Sequence, residues 1–192
     1  MTTIYTVNNK VLKNSANDKW LTKKETGPTF DSVTIGSQTW MSKNLAIDDG
    51  QGGIMTRTVN YGQSDVVEYY YTWDAALRVA DTIEGWHLPT DAEFGTLVES
   101  VGGYSTAGTK LKSTYGWRGI GNGTDDYGFT ALPAGYYWSN FSVTNEEGWF
   151  WTANESGESN ATLRQCRWNW NNLESNYIDK TVYMSVRLIQ DT

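Results

Sequence analysis

A single cysteine, Cys166, excludes an internal disulfide framework and any cysteine-based zinc cluster. A single histidine, His87, leaves no His-rich metal site and argues against a Ser-His-Asp triad. Positive charge is short as well: 15 Lys and Arg stand against 22 Asp and Glu, for a net charge of −7 and a pI near 4.7. That balance argues against nonspecific nucleic-acid binding and against anionic membranes. No apolar run approaches the ~20 residues of a membrane span, so no membrane insertion is expected. Residues 1–10 lack the basic and apolar regions of a secretory signal, which predicts synthesis in the cytoplasm, with a virion or the cell-exterior surface as the expected final place. Proline is scarce, at three residues, whereas glycine numbers 19, which predicts many tight turns and a loop-rich fold.

What the chain does have is aromatic side chains. Ten Trp and 12 Tyr in 192 residues exceed what one core of this size must use, so some are expected as surface contacts. Length predicts one domain with a small appendage, and a mean hydropathy of −0.55 predicts solubility. Residues 1–30 read as the appendage, which links, attaches or oligomerises, with a hairpin of 4–7 and 11–12 around Asn8-Asn-Lys10. Residues 31–192 read as the main domain. It opens with strands at 33–35 and 38–41 about the two-residue turn Gly36-Ser37, then a flexible loop at 48–53. Trp73, Ala76, Leu77 and Ala80 make one apolar helical face, with Thr72 as N-cap. Thr90-Asp-Ala-Glu93 is a capping box, followed by a buried face of Phe94, Leu97, Val98 and Val101 and a stop at Gly102-Gly103. No helix is expected beyond 105. Strands are expected at 129–138, 148–153, 163–170 and 183–189.

Several segments together resemble one family. They are Gly36, Trp40-Met41, Asn44-Leu45, Tyr71-Thr-Trp-Asp-Ala-Ala76, Gly85-Trp-His-Leu-Pro-Thr-Asp-Ala-Glu93, Leu111-Lys-Ser113, Gly116-Trp117, Gly123-Thr-Asp-Asp-Tyr-Gly-Phe-Thr-Ala-Leu-Pro-Ala-Gly135 and Ser185-Val-Arg187. Over about 33–190 the chain resembles the Fibrobacter succinogenes major paralogous domain family. The resemblance implies an α+β, C-type-lectin-like fold with two helices and a loop-rich antiparallel β remainder. Family members often carry a Cys before Gly-Trp-His-Leu-Pro-Thr and another after Ser-Val-Arg; here those places hold Ile83-Glu84 and Leu188. Loss of both fits a bridge dispensed with at a reducing site of synthesis.

Domains of this kind also resemble the variable proteins of diversity-generating retroelements, in which mutagenic reverse transcription randomises adenines in a C-terminal cassette. Residues 162–183, between Trp149-Phe-Trp-Thr-Ala153 and Ser185-Val-Arg-Leu-Ile189, suit that role. They are crowded with Asn, Trp, Tyr and Arg, lack a clean helical or strand period, and have the composition of a paratope. Asn codons mutated at their adenines do not yield Trp, Gln, Glu, Lys or Met, so Gln165, Trp168, Trp170, Glu174, Lys180 and Met184 are expected to be fixed. Leu163, Arg164, Cys166, Arg167, Asn169, Asn171, Asn172, Leu173, Ser175, Asn176, Tyr177, Ile178, Asp179, Thr181, Val182 and Tyr183 are the candidate variable ligand-binding residues. Trp168 and Trp170 are read as fixed aromatic platforms beside them, whereas Trp149 and Trp151 share a strand face and are read as core.

No catalytic residue and no cofactor is expected. His87 before a helix cap reads as structural rather than as a general base, and Cys166 as a chance residue rather than a nucleophile. Asp48-Asp49 and Asn122 with Asp125-Asp126 offer oxygens to a structural calcium, with ordinary turn carboxylates as the alternative. The expected function is adhesion by a phage or viral protein: binding of a protein or glycan receptor on a cell surface, by homo-oligomers joined through 1–30. The alternative is a carbohydrate-binding module with a fixed ligand.

Overall fold

The computed structural model describes Leu12–Lys13, Trp20–Leu21 and residues 28–192. Leu12–Lys13 (β1) pairs antiparallel with Trp20–Leu21 (β2); the expected strand at 4–7 and its turn lie outside the described residues. The rest is α+β, with three helices and several small antiparallel sheets. Ser32–Ile35 (β3) and Gln38–Met41 (β4) form the expected hairpin, with Gly36 at φ +61° in its turn. A second hairpin, Ile54–Asn60 (β5) and Asp65–Tyr71 (β6), follows the 48–53 loop. Sequence reasoning passed over it, although its Val, Thr and Tyr content is that of strands.

Helix Trp73–Asp81 (α1) starts at Thr72, whose hydroxyl accepts the Ala75 N–H, and buries Trp73, Ala75, Ala76, Val79 and Ala80. Trp86–His87 (β7) leads to Asp91–Ser100 (α2), which has the full capping box of Thr90 and Glu93. Val101 closes it, and the Gly103 N–H returns to the Val98 carbonyl. A third helix, Tyr104–Leu111 (α3), corrects the expectation of only two. Its sequence, with Ser, two Thr and a Gly, has weak helix propensity, and its N-cap Gly103 offers no side-chain bond. Packing holds it instead: Ala107, Gly108 and Leu111 are buried.

Of the strand expected over 129–138 only Tyr136–Tyr137 (β8) forms, paired with Phe141–Ser142 (β9). Thr130 and Gly135 both take positive φ and break the extension. Glu147–Glu155 (β10), Asn160–Arg167 (β11) and Glu174–Asp179 (β12) make a three-stranded antiparallel sheet with β12 at its edge. The scrambled segment thus contains a strand that its periodicity did not show. The strand expected at 183–189 is mostly a threaded chain: Tyr183 bridges Tyr137, Met184 bridges Tyr71 and Ser185 bridges Phe150. Only Ile189–Gln190 (β13) joins a sheet, of order β3-β4-β13-β7.

The β10–β11 ribbon is buried on both faces, because alternate residues enter two core clusters. Trp149, Trp151, Ala161 and Leu163 pack toward α1, whereas Phe150 and Cys166 pack toward α2 and α3. Each buried indole finds an acceptor: Trp151 Nε1 donates to the Tyr71 carbonyl and Trp73 Nε1 to that of Thr152, both at 2.8 Å. Arg187 is fully buried, its guanidinium 5.7 Å from the ring centre of Phe150 in β10. It donates to the carbonyls of Met41 (3.0 Å) and Phe129 and to Asn44 Oδ1 (2.8 Å), and its guanidinium lies 4.5 Å from the Phe129 ring centre.

Candidate ligand-binding surface

The candidate variable residues divide into three groups. Leu163, Arg164, Cys166, Leu173 and Val182 are buried and offer no surface to a ligand, which corrects their place among contact candidates. The physical reason is the two-sided burial of β11 and the return of 182 into the core. Arg164 works as a tie: Nε donates to Asp91 Oδ1 at 2.7 Å and Nη2 to the Asp91 carbonyl at 2.8 Å, fastening the sheet to the start of α2. Burial pushes the Cys166 thiol up to about 12, so it holds its proton at neutral pH.

Arg167, Asn172, Ile178, Asp179 and Tyr183 are half-buried. The Arg167 guanidinium lies 4.1 Å from the Trp170 ring centre and 3.3 Å from Glu147 Oε1. Asn172 Nδ2 donates to both Tyr104 Oη and Glu174 Oε1 at 2.6 Å. Asp179 caps its own turn by accepting from Thr181 N–H and Oγ1. Trp168 and Trp170 are also half-buried, and Trp168 packs against the α2–α3 core. They are therefore partly structural and not free platforms.

Asn169, Asn171, Ser175, Asn176, Tyr177 and Thr181 are exposed. They follow the 168–173 loop, the edge strand β12 and, for Thr181, the turn after it, with Tyr177 showing 63% of its surface. The base beneath the loop comes from residues that carried no functional signal in the sequence. Lys112 is buried, and its Nζ donates to the carbonyls of Arg167 (3.1 Å) and Trp170 (3.0 Å). Gly108 and Gly121 pack so closely against the backbone of Asn172 and Trp168 that neither has room for a Cβ. Beside the loop, Arg118 stacks 5.5 Å from the Trp168 ring centre, and Ile120 is 96% exposed on the turn it belongs to. The 118–121 turn closes with Gly121 N–H donating to the Arg118 carbonyl at 3.0 Å. The exposure of this Ile is set by the turn, which chain periodicity cannot flag.

Carboxylates elsewhere are engaged within their own loops. Asp125 Oδ1 and Oδ2 accept from Thr130 N–H and Oγ1, each at 2.7 Å. Asp48 accepts from the Gly50 N–H, and Asp49 from Gln51 and Arg78. Among the described residues no group of three or more His, Cys, Asp and Glu is arranged to hold a metal ion.

His87 sits between two carboxylates, Nδ1 2.6 Å from Asp191 and Nε2 2.9 Å from Glu93. Burial pulls its pKa down, but the hydrogen bonds and charges of Asp191 and Glu93 outweigh it and the net shift is upward from 6.5. For Glu93, burial pushes up, and the bonds from Thr90 and His87 reverse it to a net lowering from 4.5. The His87 contribution is complete below its unfolded value and is lost as pH rises through the raised folded one. The Glu93 contribution is complete above its unfolded value and is lost as pH falls through the lowered folded one. Stability is therefore expected to peak between about pH 4.5 and 6.5. The slopes are expected to be shallow, because both groups are about one-third exposed or more and solvent screens them. Thermal midpoints measured against pH check this: H87Q is expected to flatten the decline above the peak.

No curated protein and no solved structure matches the chain. The Fibrobacter succinogenes major domain matches residues 33–190, from β3 through β13. With that match spanning the whole main domain and every motif that carried the resemblance, the chain belongs to the Fibrobacter succinogenes major domain family.

Proposed function

We propose that this protein is a ligand-binding protein that displays a diversified surface on a C-type-lectin-like scaffold, as the variable protein of a diversity-generating retroelement and an adhesin of a phage or virus. One observation carries the reading. Within a single segment, the side chains separate into a set locked into the scaffold and a set presented to solvent, and the loop between them is anchored from outside by Lys112, Gly108 and Gly121. Such a base lets the exposed residues change while the fold persists. Positions that the coding argument holds fixed support it too. Gln165 and Met184 are buried, Lys180 is paired with Glu155 and stacked 4.6 Å from the Trp73 ring centre, and Glu174 binds Asn172.

The reading narrows the variable face to Asn169, Asn171, Ser175, Asn176, Tyr177 and Thr181, with Arg167, Asn172 and Tyr183 at its margin. Sequencing the DNA around the gene tests it. The expected finding is a near-copy of the codons for 160–189 that differs almost only at adenines, beside a reverse transcriptase. Its absence leaves a binding domain with a fixed ligand. Sibling sequences that vary as much at Leu163, Cys166 and Val182 as at the exposed positions sink the reading. Y177A is expected to change stability by no more than about 0.5 kcal/mol, as for an exposed residue, in a urea titration. A loss above ~2 kcal/mol makes Tyr177 a structural residue.

A second reading, a carbohydrate-binding module, is favoured by Trp138, which is 63% exposed in the β8–β9 turn. A sugar array with and without calcium, run on the protein and on W138A, separates the two. The oligomeric role of 1–30 belongs to the same proposal, since several copies raise a weak contact to a useful avidity.

A further inference from the structure

None of the residues of the 169–181 face lines a cavity of 690 Å³ that opens between the 42–46 loop, β6 and the 125–132 segment. This volume falls in the range of small-molecule sites, roughly 300–1,000 Å³. Its deepest polar group is Glu68, 2% exposed. The Tyr61 hydroxyl donates to Oε1 and Asn44 Nδ2 to Oε2, both at 3.0 Å. A carboxylate has about four acceptor positions, so two remain. Among the described residues Glu68 makes no ion pair. Arg187 lies behind it but bonds to the other side of Asn44, to the carbonyls of Met41 and Phe129 and, at 3.4 Å, to that of Thr130.

The rest of the lining agrees in sign. Asp125 adds a second carboxylate, while Lys43 at the rim is drawn away to Asp31 at 2.7 Å. Val66, Leu132 and Tyr115 supply half-buried apolar wall. Thr130, also in the wall, is held at φ +51° by both oxygens of Asp125. A left-handed conformation is costly for a β-branched residue and is a feature that clusters at ligand clamps. Arg187 offsets the Glu68 charge only from beyond Asn44, and a buried carboxylate facing an open cavity with no cation in contact gains from a partner.

We propose that this cavity binds a small organic cation, with its ammonium head donating to the Glu68 carboxylate and a short apolar body against Val66, Leu132 and Tyr115. The site is separate from the variable face and does not depend on its reading. The test is a titration of the isotope-labelled full chain by two-dimensional amide NMR with 2-phenylethylammonium, and in parallel with its neutral isostere 2-phenylethanol. The cation is expected to give saturable shifts at the amides of Val66, Val67, Gly128 and Thr130, and the alcohol to bind at least about tenfold more weakly. E68Q is expected to lose the preference for the cation. A46W, at the exposed rim, is expected to lose binding of both while keeping the wild-type spectrum elsewhere, and it carries the test if E68Q does not fold. Equal affinity for cation and alcohol overturns the proposal. So does the absence of saturable shifts at these amides up to ~10 mM, a concentration above the dissociation constant expected for a ligand of this size.

Discussion

Arg187→Met is expected to lose about 3–5 kcal/mol of stability, the range for removing one member of a buried charged network. The guanidinium is the hub that joins β4, the 129–130 carbonyls and, through Asn44, the buried carboxylate of Glu68. Methionine fills similar volume but removes the donor that Arg187 gives to the carbonyls of Met41 and Phe129 and the charge that offsets Glu68. Burial pulls the Arg187 pKa down and the charges of Glu68 and Asp125 offset part of that, for a net value of about 10, so it stays charged at neutral pH and its removal deletes a full charge. A domain of ordinary stability holds 5–15 kcal/mol, so the variant is expected to unfold at markedly lower urea concentration. The double variant R187M/E68Q isolates the electrostatic part. Its cost is expected to be smaller than the sum of the two single costs by about 0.5–3 kcal/mol, the coupling typical of residues in one network. Strict additivity in that cycle shows that Asn44 does not transmit anything between them.

Gly108→Ala is expected to destabilise by about 2–3 kcal/mol, against the trend that favours alanine in helices by ~1 kcal/mol. A Cβ there meets the Asn172 carbonyl oxygen at 2.2 Å and its carbon at 2.7 Å, backbone atoms with no rotamer to give. Either α3 moves out or the 171–172 segment moves off, and both disturb the Thr109–Asn171 backbone bond of 3.1 Å. Gly95 in α2 is the control, since nothing lies within 4 Å of a Cβ built there. G95A is expected to gain up to about 1 kcal/mol. If both variants gain, the close contact between α3 and the 168–173 loop is absent in solution. If G108A behaves as expected, it also displaces the loop that carries Asn169 and Asn171, and their amide resonances are expected to shift.

The parts of this fold written in local chemistry were legible in the sequence. Thr72 and the Thr90–Glu93 box act within three residues of themselves, and the Gly36-Ser37 turn needs only its own two residues. Trp149 and Trp151 could be placed in the core because strand alternation puts them on one face. Features created by distant packing were not legible. Helix α3 has poor propensity and exists because Gly108 meets Asn172. Strand β12 is polar and exposed along much of its length, so it shows no period; it is a strand because β11 is beside it. The candidate surface shows the same division. Codon reasoning named a segment and six fixed positions, but it could not tell Leu163 or Cys166 from Asn176, because exposure depends on what covers each face of β11. Ile120 was invisible for the converse reason, being an apolar residue whose exposure only the turn around it reveals.

The place of β13 has a consequence for how the protein is made. This strand lies inside its sheet, between β4 and β7, with Ile189 opposite both Trp40 and His87. The stretch leading into it runs alongside the early chain too, where Met41 N–H bonds the Leu188 carbonyl and Leu45 N–H that of Val186. A nascent chain that has emerged only as far as β12 therefore has β3–β4 and β7 without the strand that joins them. During that interval the ribosome holds a helix-bearing but unclosed chain, and the edges of β4 and β7 are open to whatever strand arrives first. Closure waits for the exit of 184–190 and is not set by the emergence of the helices.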